Sequence, residues 1–204
     1  DIFGKTKNYY GLVEKNGKTK KNEYLKFLKK NNLNFKIINH KNFSDRIDLK
    51  IITNEKILHY DKLKNKIKFL IKKSKVKLKL NQPFKNEDKD RFDYIFVCTY
   101  SENNKNLKKL DIKNLNKFRY ELIEKMIIQL PNKYKKLSYV IIDGKFLCID
   151  PYLGTKYHLL SHVKHSKLEI KNSILEKFNN SHSKKIEKFI KIKNNKNFNK
   201  YIND

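Results

Sequence analysis

Three histidines, His158, His162 and His165, stand at i, i+4 and i+7. On a helix that spacing would bring three imidazoles to one face, an arrangement able to bind zinc. Residues 157–163 have the composition of a strand, however, and no cysteine or carboxylate accompanies the set before Glu169. In a strand His158 and His162 share a face and His165 does not. The reading is therefore two imidazoles lining a pocket or hydrogen-bonded at a strand end, with no metal. Asp143 and Asp150 form a second pair. Seven apart on a strand they would face opposite sides, a poor placement for joint acid and base work. Asp143 reads as a turn residue and Asp150 as a strand-end cap before Pro151. Cys98 and Cys148 each lie in an apolar run and read as buried free thiols. No nucleophile has a histidine and an acid beside it in the sequence, although such triads assemble in space.

The elements that must position these groups follow from periodicity. Residues 9–14 read as a strand, closed by Asn16-Gly17 as a turn. Thr19 could cap a helix running to about residue 31, with Tyr24, Leu25, Phe27 and Leu28 as its stripe. Residues 35–39 form a short strand, 51–58 an extended segment, and 61–71 a helix with Leu63, Ile67, Leu70 and Ile71 on one side. Val76, Leu78 and Leu80 alternate with lysines, as in a half-buried strand. Residues 93–100 are almost continuously apolar, the pattern of a strand buried inside a parallel sheet. After a polar stretch, residues 118–130 read as one long strand stopped by Pro131. Residues 139–142 and 146–149 flank Asp143-Gly144, a strong hairpin signal because both turn residues tolerate positive φ. Residues 157–163 form another strand, and from Lys171 onward the spacing of Ile174, Leu175, Phe178, Ile186, Phe189 and Ile190 is helical. The fold class is mixed α/β.

The chain has 204 residues, with 49 Lys+Arg against 21 Asp+Glu, a formal net charge of +28. Hydrophobic residues make up 38% and aromatic residues 12%, enough to bury a core. Only Arg46, Arg91 and Arg119 are arginines, and alanine and tryptophan are absent while Lys, Asn, Ile, Phe and Tyr abound. That bias follows A/T-rich codons and needs no polyanionic partner. Arginine, the residue suited to bidentate phosphate and guanine contacts, is what the chain lacks. Specific nucleic-acid binding is thus not expected, although a lysine-rich nucleic-acid-binding module stands as the alternative reading. Five scattered glycines exclude a G-x-G-x-x-G loop and a Walker loop within the chain. No apolar run nears the roughly 20 residues of a membrane helix, so no membrane partner is expected. With no signal sequence and two unpaired cysteines, a cytoplasmic location is expected. The chain begins at Asp1, as a piece of a longer protein could.

The segment from Ser138 to Ser166 resembles part of the FAD-dependent oxidoreductases of the D-amino-acid-oxidase superfamily. In one bacterial branch a D-G-x-F hairpin leads into a Pro-, Gly- and Thr-containing turn and then an H-V-x-H-S run. Here Asp143, Gly144, Phe146, Pro151, Tyr152, Gly154, Thr155, Tyr157, Leu160, His162, Val163, His165 and Ser166 match it. Residues 92–100, Phe-Asp-Tyr-Ile-Phe-Val-Cys-Thr-Tyr, are similar to that branch's strand ending in C-T-Y, and residues 54–63 resemble the strand-to-helix entry before it.

The resemblance implies a partial, doubly wound FAD-binding domain interleaved with a substrate domain on a mixed, largely antiparallel sheet. The substrate domain would take residues 1–58 and 105–168, the FAD-binding part residues 59–104, and a helical segment with a polar tail residues 169–204. Phe84 falls where family members hold the adenine, and Cys98, Thr99 and Tyr100 fall at the strand end that passes the ribose and pyrophosphate. Asp143, Phe146, His158 and His162 are the implied substrate-pocket residues. The parent would oxidise a small amine or hydroxy compound by hydride transfer to FAD. The N-terminal glycine-loop unit and the C-terminal flavin-covering loop have no counterpart here, so an internal fragment, inactive alone and weak in binding FAD, is implied. No catalytic residue can be assigned, since in this superfamily the flavin carries the redox chemistry.

Overall fold

A computed structural model describes residues 1–15, 17–143 and 147–179. In chain order its elements are β1 (Lys7–Leu12), α1 (Lys21–Lys30), β2 (Phe35–Ile37), β3 (Leu49–Thr53), α2 (Tyr60–Lys73), α3 (Asn103–Lys109), β4 (Phe118–Ile123), β5 (Met126–Ile128), β6 (Leu137–Ile142), β7 (Leu147–Pro151), β8 (His158–His162) and β9 (Lys167–Ser173). The described chain is a mixed α/β structure with few helices and mostly antiparallel strands. It divides into two compact units. Of the described residues, the first takes 1–75 and 124–166, the second 76–123 and 167–179.

The first unit is built on a seven-stranded sheet in the order β2-β3-β1-β6-β7-β8-β5. Every neighbouring pair is antiparallel except β1 and β6, which run parallel with Asn8 opposite Ser138 and Leu12 opposite Ile142. Period-two alternation sorts the side chains. On one face Leu12, Leu49 and Ile51 pack with Leu28 of α1, joined by Tyr10, Tyr24, Leu25, Phe35 and Ile142. Glu23 in the first turn of α1 accepts the Lys20 backbone N–H at 3.1 Å, holding the helix start. The other face carries Tyr9 stacked on Tyr139 at 5.2 Å, with His40 and Phe43 edge-on to Tyr139. Farther along it Met126 and Leu160 pack with Ile128, Leu147 and Ile149.

The second unit centres on an antiparallel pair, β4 with β9, running from Phe118 opposite Ser173 to Ile123 opposite Lys167. Buried Asn104 of α3 donates both side-chain hydrogens, to the carbonyls of Asn116 and Ile174, each at 2.6 Å. Tyr120 Oη donates to the same Ile174 carbonyl at 3.3 Å. Glu121 pairs with Arg119 at 2.8 Å and Lys167 at 3.3 Å.

Several expectations change. Residues 76–80 and 93–98 form no strand and join no ladder among the described residues. Val76, Leu78, Leu80, Tyr94 and Phe96 are accordingly exposed, because an apolar strand is buried only between neighbours. Cys98 is exposed, not buried, for the same reason. The run 118–130 is not one strand. It breaks after Ile123, where the Glu124 N–H turns to the Ser166 carbonyl at 2.7 Å, and β4 and β5 then join different sheets. Residues 171–173 continue strand β9 where a helix was expected, because pairing with β4 overrides local spacing. The helical pattern at residues 186–190 lies outside the described residues. Helix α1 starts at Lys21 with Lys20 as its cap, and Thr19 instead donates its N–H to the Asp143 carboxylate.

Candidate functional site

Strands β6 and β7 pair antiparallel on either side of the Asp143-Gly144 signal, and Gly144 itself lies outside the described residues. Asp143 sits at φ 64°, in the left-handed region, and Tyr139 opposite Ile149 sets the β6–β7 register. Phe146 lies outside the described residues. Asp143 is tied to the loop before α1 through Thr19, so it organises the hairpin end and is not directed at an open face.

His158 and His162 share a face, as a strand requires, and it is the packed one. They are 1% and 2% exposed. His158 Nε2 lies 3.0 Å from the Tyr134 carbonyl. His162 Nδ1 accepts backbone N–H groups from Lys164 at 3.2 Å and His165 at 3.3 Å, and its ring lies 4.6 Å from that of His165. Both imidazoles thus hold loops onto the sheet.

The opposite face is where polar groups converge. Registers across β3, β1, β6, β7 and β8 place Thr53, Asn8, Ser138, Asp150 and Leu159 in one row. The next row is Ile51, Tyr10, Val140, Cys148 and Ser161. Asp150 is therefore not a plain strand-end cap. Its carboxylate accepts the Ser138 hydroxyl at 2.7 Å and the Cys148 thiol at 2.9 Å. Beside it Tyr10 Oη donates to the Glu55 carboxylate, and Asn8 Nδ2 donates to the Glu55 backbone carbonyl. Burial, reinforced by the Asp150 hydrogen bond and charge, pushes the Cys148 thiol up to about 12. Burial and the Glu55 bond likewise push the Tyr10 phenol up. Both stay protonated near neutral pH and serve as donors. Helix α1 covers the β1–β3 end of this face, while Val140, Cys148, Asp150, Leu159 and Ser161 remain partly exposed.

Sequence reasoning did not join Tyr10, Glu55, Ser138 and Asp150, because β1, the chain after β3 and the β6–β7 pair are far apart in the sequence and meet only in the sheet. The alternations Asn8-x-Tyr10 and Cys148-x-Asp150, on the two strands that flank β6, were the available signal, readable only once the parallel β1–β6 pairing is known.

The residues placed by resemblance at FAD lie in the second unit. Phe84 is 6.3 Å from Phe92, ring to ring. Thr99 spends both its N–H and its hydroxyl on Asn103 Oδ1, at 2.7 and 3.0 Å, entering α3. Cys98 is exposed, and Tyr100 is 93% exposed at φ 54°. With Thr99 committed and its neighbours open, these four do not fit FAD by themselves.

Among the described residues no group of three or more His, Cys, Asp or Glu is placed to hold a metal, and no helix is long and apolar enough to cross a membrane. A shallow hollow in the first unit, lined by Asp1, Ile2, Lys62, Asn65 and Lys66, gathers no reactive set. Comparison of the chain with family models, with curated proteins and with solved structures found no match.

Proposed function

We propose that this chain is the substrate-bearing part of an FAD-dependent oxidoreductase resembling the D-amino-acid-oxidase superfamily. The parent would oxidise a small amine or hydroxy compound, and a flavin held largely by its other residues would supply the redox chemistry. One observation carries the reading on the structural side. The sheet has one face sealed by Tyr9, Leu160, His158 and His162, and another on which Cys148, Asp150 and Ser161 stay partly exposed beside the buried Asn8 and Ser138 of the Asp150 row. A rigid sheet with one packed side and one open polar side suits a layer that orients a substrate. The ordered resemblance of residues 54–63, 92–100 and 138–166 supplies the redox class. This chain's own part is to hold the substrate by hydrogen bonds from the open rows. Holding FAD falls largely to other residues of the parent.

The test is to express the chain joined in frame to the strand–G-x-G-x-x-G–helix unit that the reading places upstream. A yellow product with flavin absorbance is expected. A colourless, folded product that FAD does not stabilise against heat would overturn the reading. Duplex DNA or RNA binding that survives physiological salt would favour the nucleic-acid module instead.

A further inference from the structure

We propose that the open face around Asp150 binds the protonated amino group of a small organic amine that carries no carboxylate, an alkylammonium or a diamine. The inference rests on the substrate-layer reading and names the ligand class of that layer. It begins with the balance of hydrogen-bonding capacity. Most donors of the two rows are already spent, Ser138 and Cys148 on Asp150, Tyr10 on Glu55 and Ser161 on Cys148, and the Thr53 hydroxyl stands at the far end of its row, on β3. What remains around Asp150 is mainly acceptor capacity. Each oxygen of Asp150 keeps a lone pair beyond the contacts it receives, and Glu55 is an exposed carboxylate at the rim.

Asn8 supplies an independent observation. It is 2% exposed, its Nδ2 is bonded to the Glu55 carbonyl, and its Oδ1 is buried with no partner. A buried amide oxygen left unpaired is costly unless something donates to it. Asn8 stands beside Ser138 in the Asp150 row and is bonded to Glu55, so the residue with the spare acceptor shares its face with Asp150 and touches the residue that carries the second carboxylate. An ammonium group has three donors and no acceptor, the complement of this set.

The same rows argue against a ligand carboxylate. Among 49 lysines and arginines in the chain, none occupies any of the ten row positions. Lys125 is close enough to act on the Cys148 thiol but belongs to neither row. A substrate carboxylate would meet Asp150 and Glu55 with no fixed cation to hold it. A carboxylate-free amine meets two anions and an amide oxygen.

The test uses the chain labelled with 15N and titrated with 1,4-diaminobutane at fixed ionic strength, with butyrate and 1-butanol as comparators. Saturable NMR shifts are expected at the Asn8 side-chain amide and at the Ser138 and Asp150 backbone, with a Kd of roughly millimolar order. Asp150→Asn should weaken binding about tenfold or more. Glu55→Gln, at an exposed position where folding is safe, should weaken it severalfold and carries the test if Asp150→Asn does not fold. Shifts of equal size from butyrate or butanol would overturn the proposal. So would diamine shifts no larger than those at surface acids such as Glu87 and Asp88, or no shifts at all. The outcome is separate from the flavin test. Diamine binding alongside a colourless extended protein would retain the site and remove the oxidoreductase reading. A yellow protein whose sheet ignores the diamine would do the reverse.

Discussion

Cys148 shows how one side chain links packing to pH. Burial and the neighbouring Asp150 raise its thiol from an ordinary 9.0 to about 12, and burial raises Tyr10 in the same direction. The protonated form is the one the folded state favours. Below about pH 9 both folded and unfolded chains hold the proton, and the stabilisation is complete. Above that the unfolded chain releases it while the folded one does not, so stability falls as pH climbs towards 12. Cys148→Ser keeps a hydroxyl to donate to Asp150 and removes the titration. Urea unfolding between pH 8 and 11 should show the wild type losing stability more steeply than the variant. The difference should reach at most about 1 kcal/mol per pH unit, discounted for the partial exposure of the site. Parallel slopes would show that the thiol does not contribute. The residue types at this site were plain in the sequence. Their meeting was not, since Asp150 reads locally as a cap and becomes an acceptor hub only when β1 and β7 flank β6.

At the level of elements, Asn104 closes the second unit. Its two donated hydrogen bonds join α3 to the chain entering β4 and to the chain leaving β9. Asn104→Ala would strand two carbonyls, and a loss of about 1–3 kcal/mol is expected. Denaturant unfolding followed by a probe in β4 or β9 reads it. Wild-type stability in the variant would show that water replaces the amide without penalty. Gly17 is a comparable fixed point in the first unit, where an added Cβ would come within 2.3 Å of the Val13 carbonyl. Elements that depend on short-range rules were legible beforehand. The antiparallel pairing of β6 with β7, helices α1 and α2, and strand β8 all appear near their expected places. Those set by distant partners were not. The helical spacing after Lys171 yielded to pairing with β4, and the apolar run 93–98 had no neighbour with which to form a strand. Unit boundaries, too, fall at 75/76, 123/124 and 166/167, positions that no composition shift marks.

Across the whole molecule, protection should be uneven. Strand β6 lies between β1 and β7, with ladder bonds on both sides, while residues 76–98 hold no ladder and expose Leu78, Leu80, Tyr94 and Phe96. Hydrogen exchange should therefore be slow at residues 140–142 and 147–149 and fast at residues 76–98. The exposed apolar groups should also drive self-association despite the +28 charge. Uniformly slow exchange in a monodisperse monomer would contradict both. The parallel contact of β1 with β6 has a further consequence during synthesis. Strand β1 leaves the ribosome early, and its partner follows only after the entire segment 76–123 has been made. At ordinary translation speeds the wait is on the order of ten seconds. Through that interval β1 can pair with β3 alone, so its other edge stays open to any strand on a neighbouring nascent chain, and yield in the cell becomes a matter of elongation rate and chaperone supply as much as of final stability.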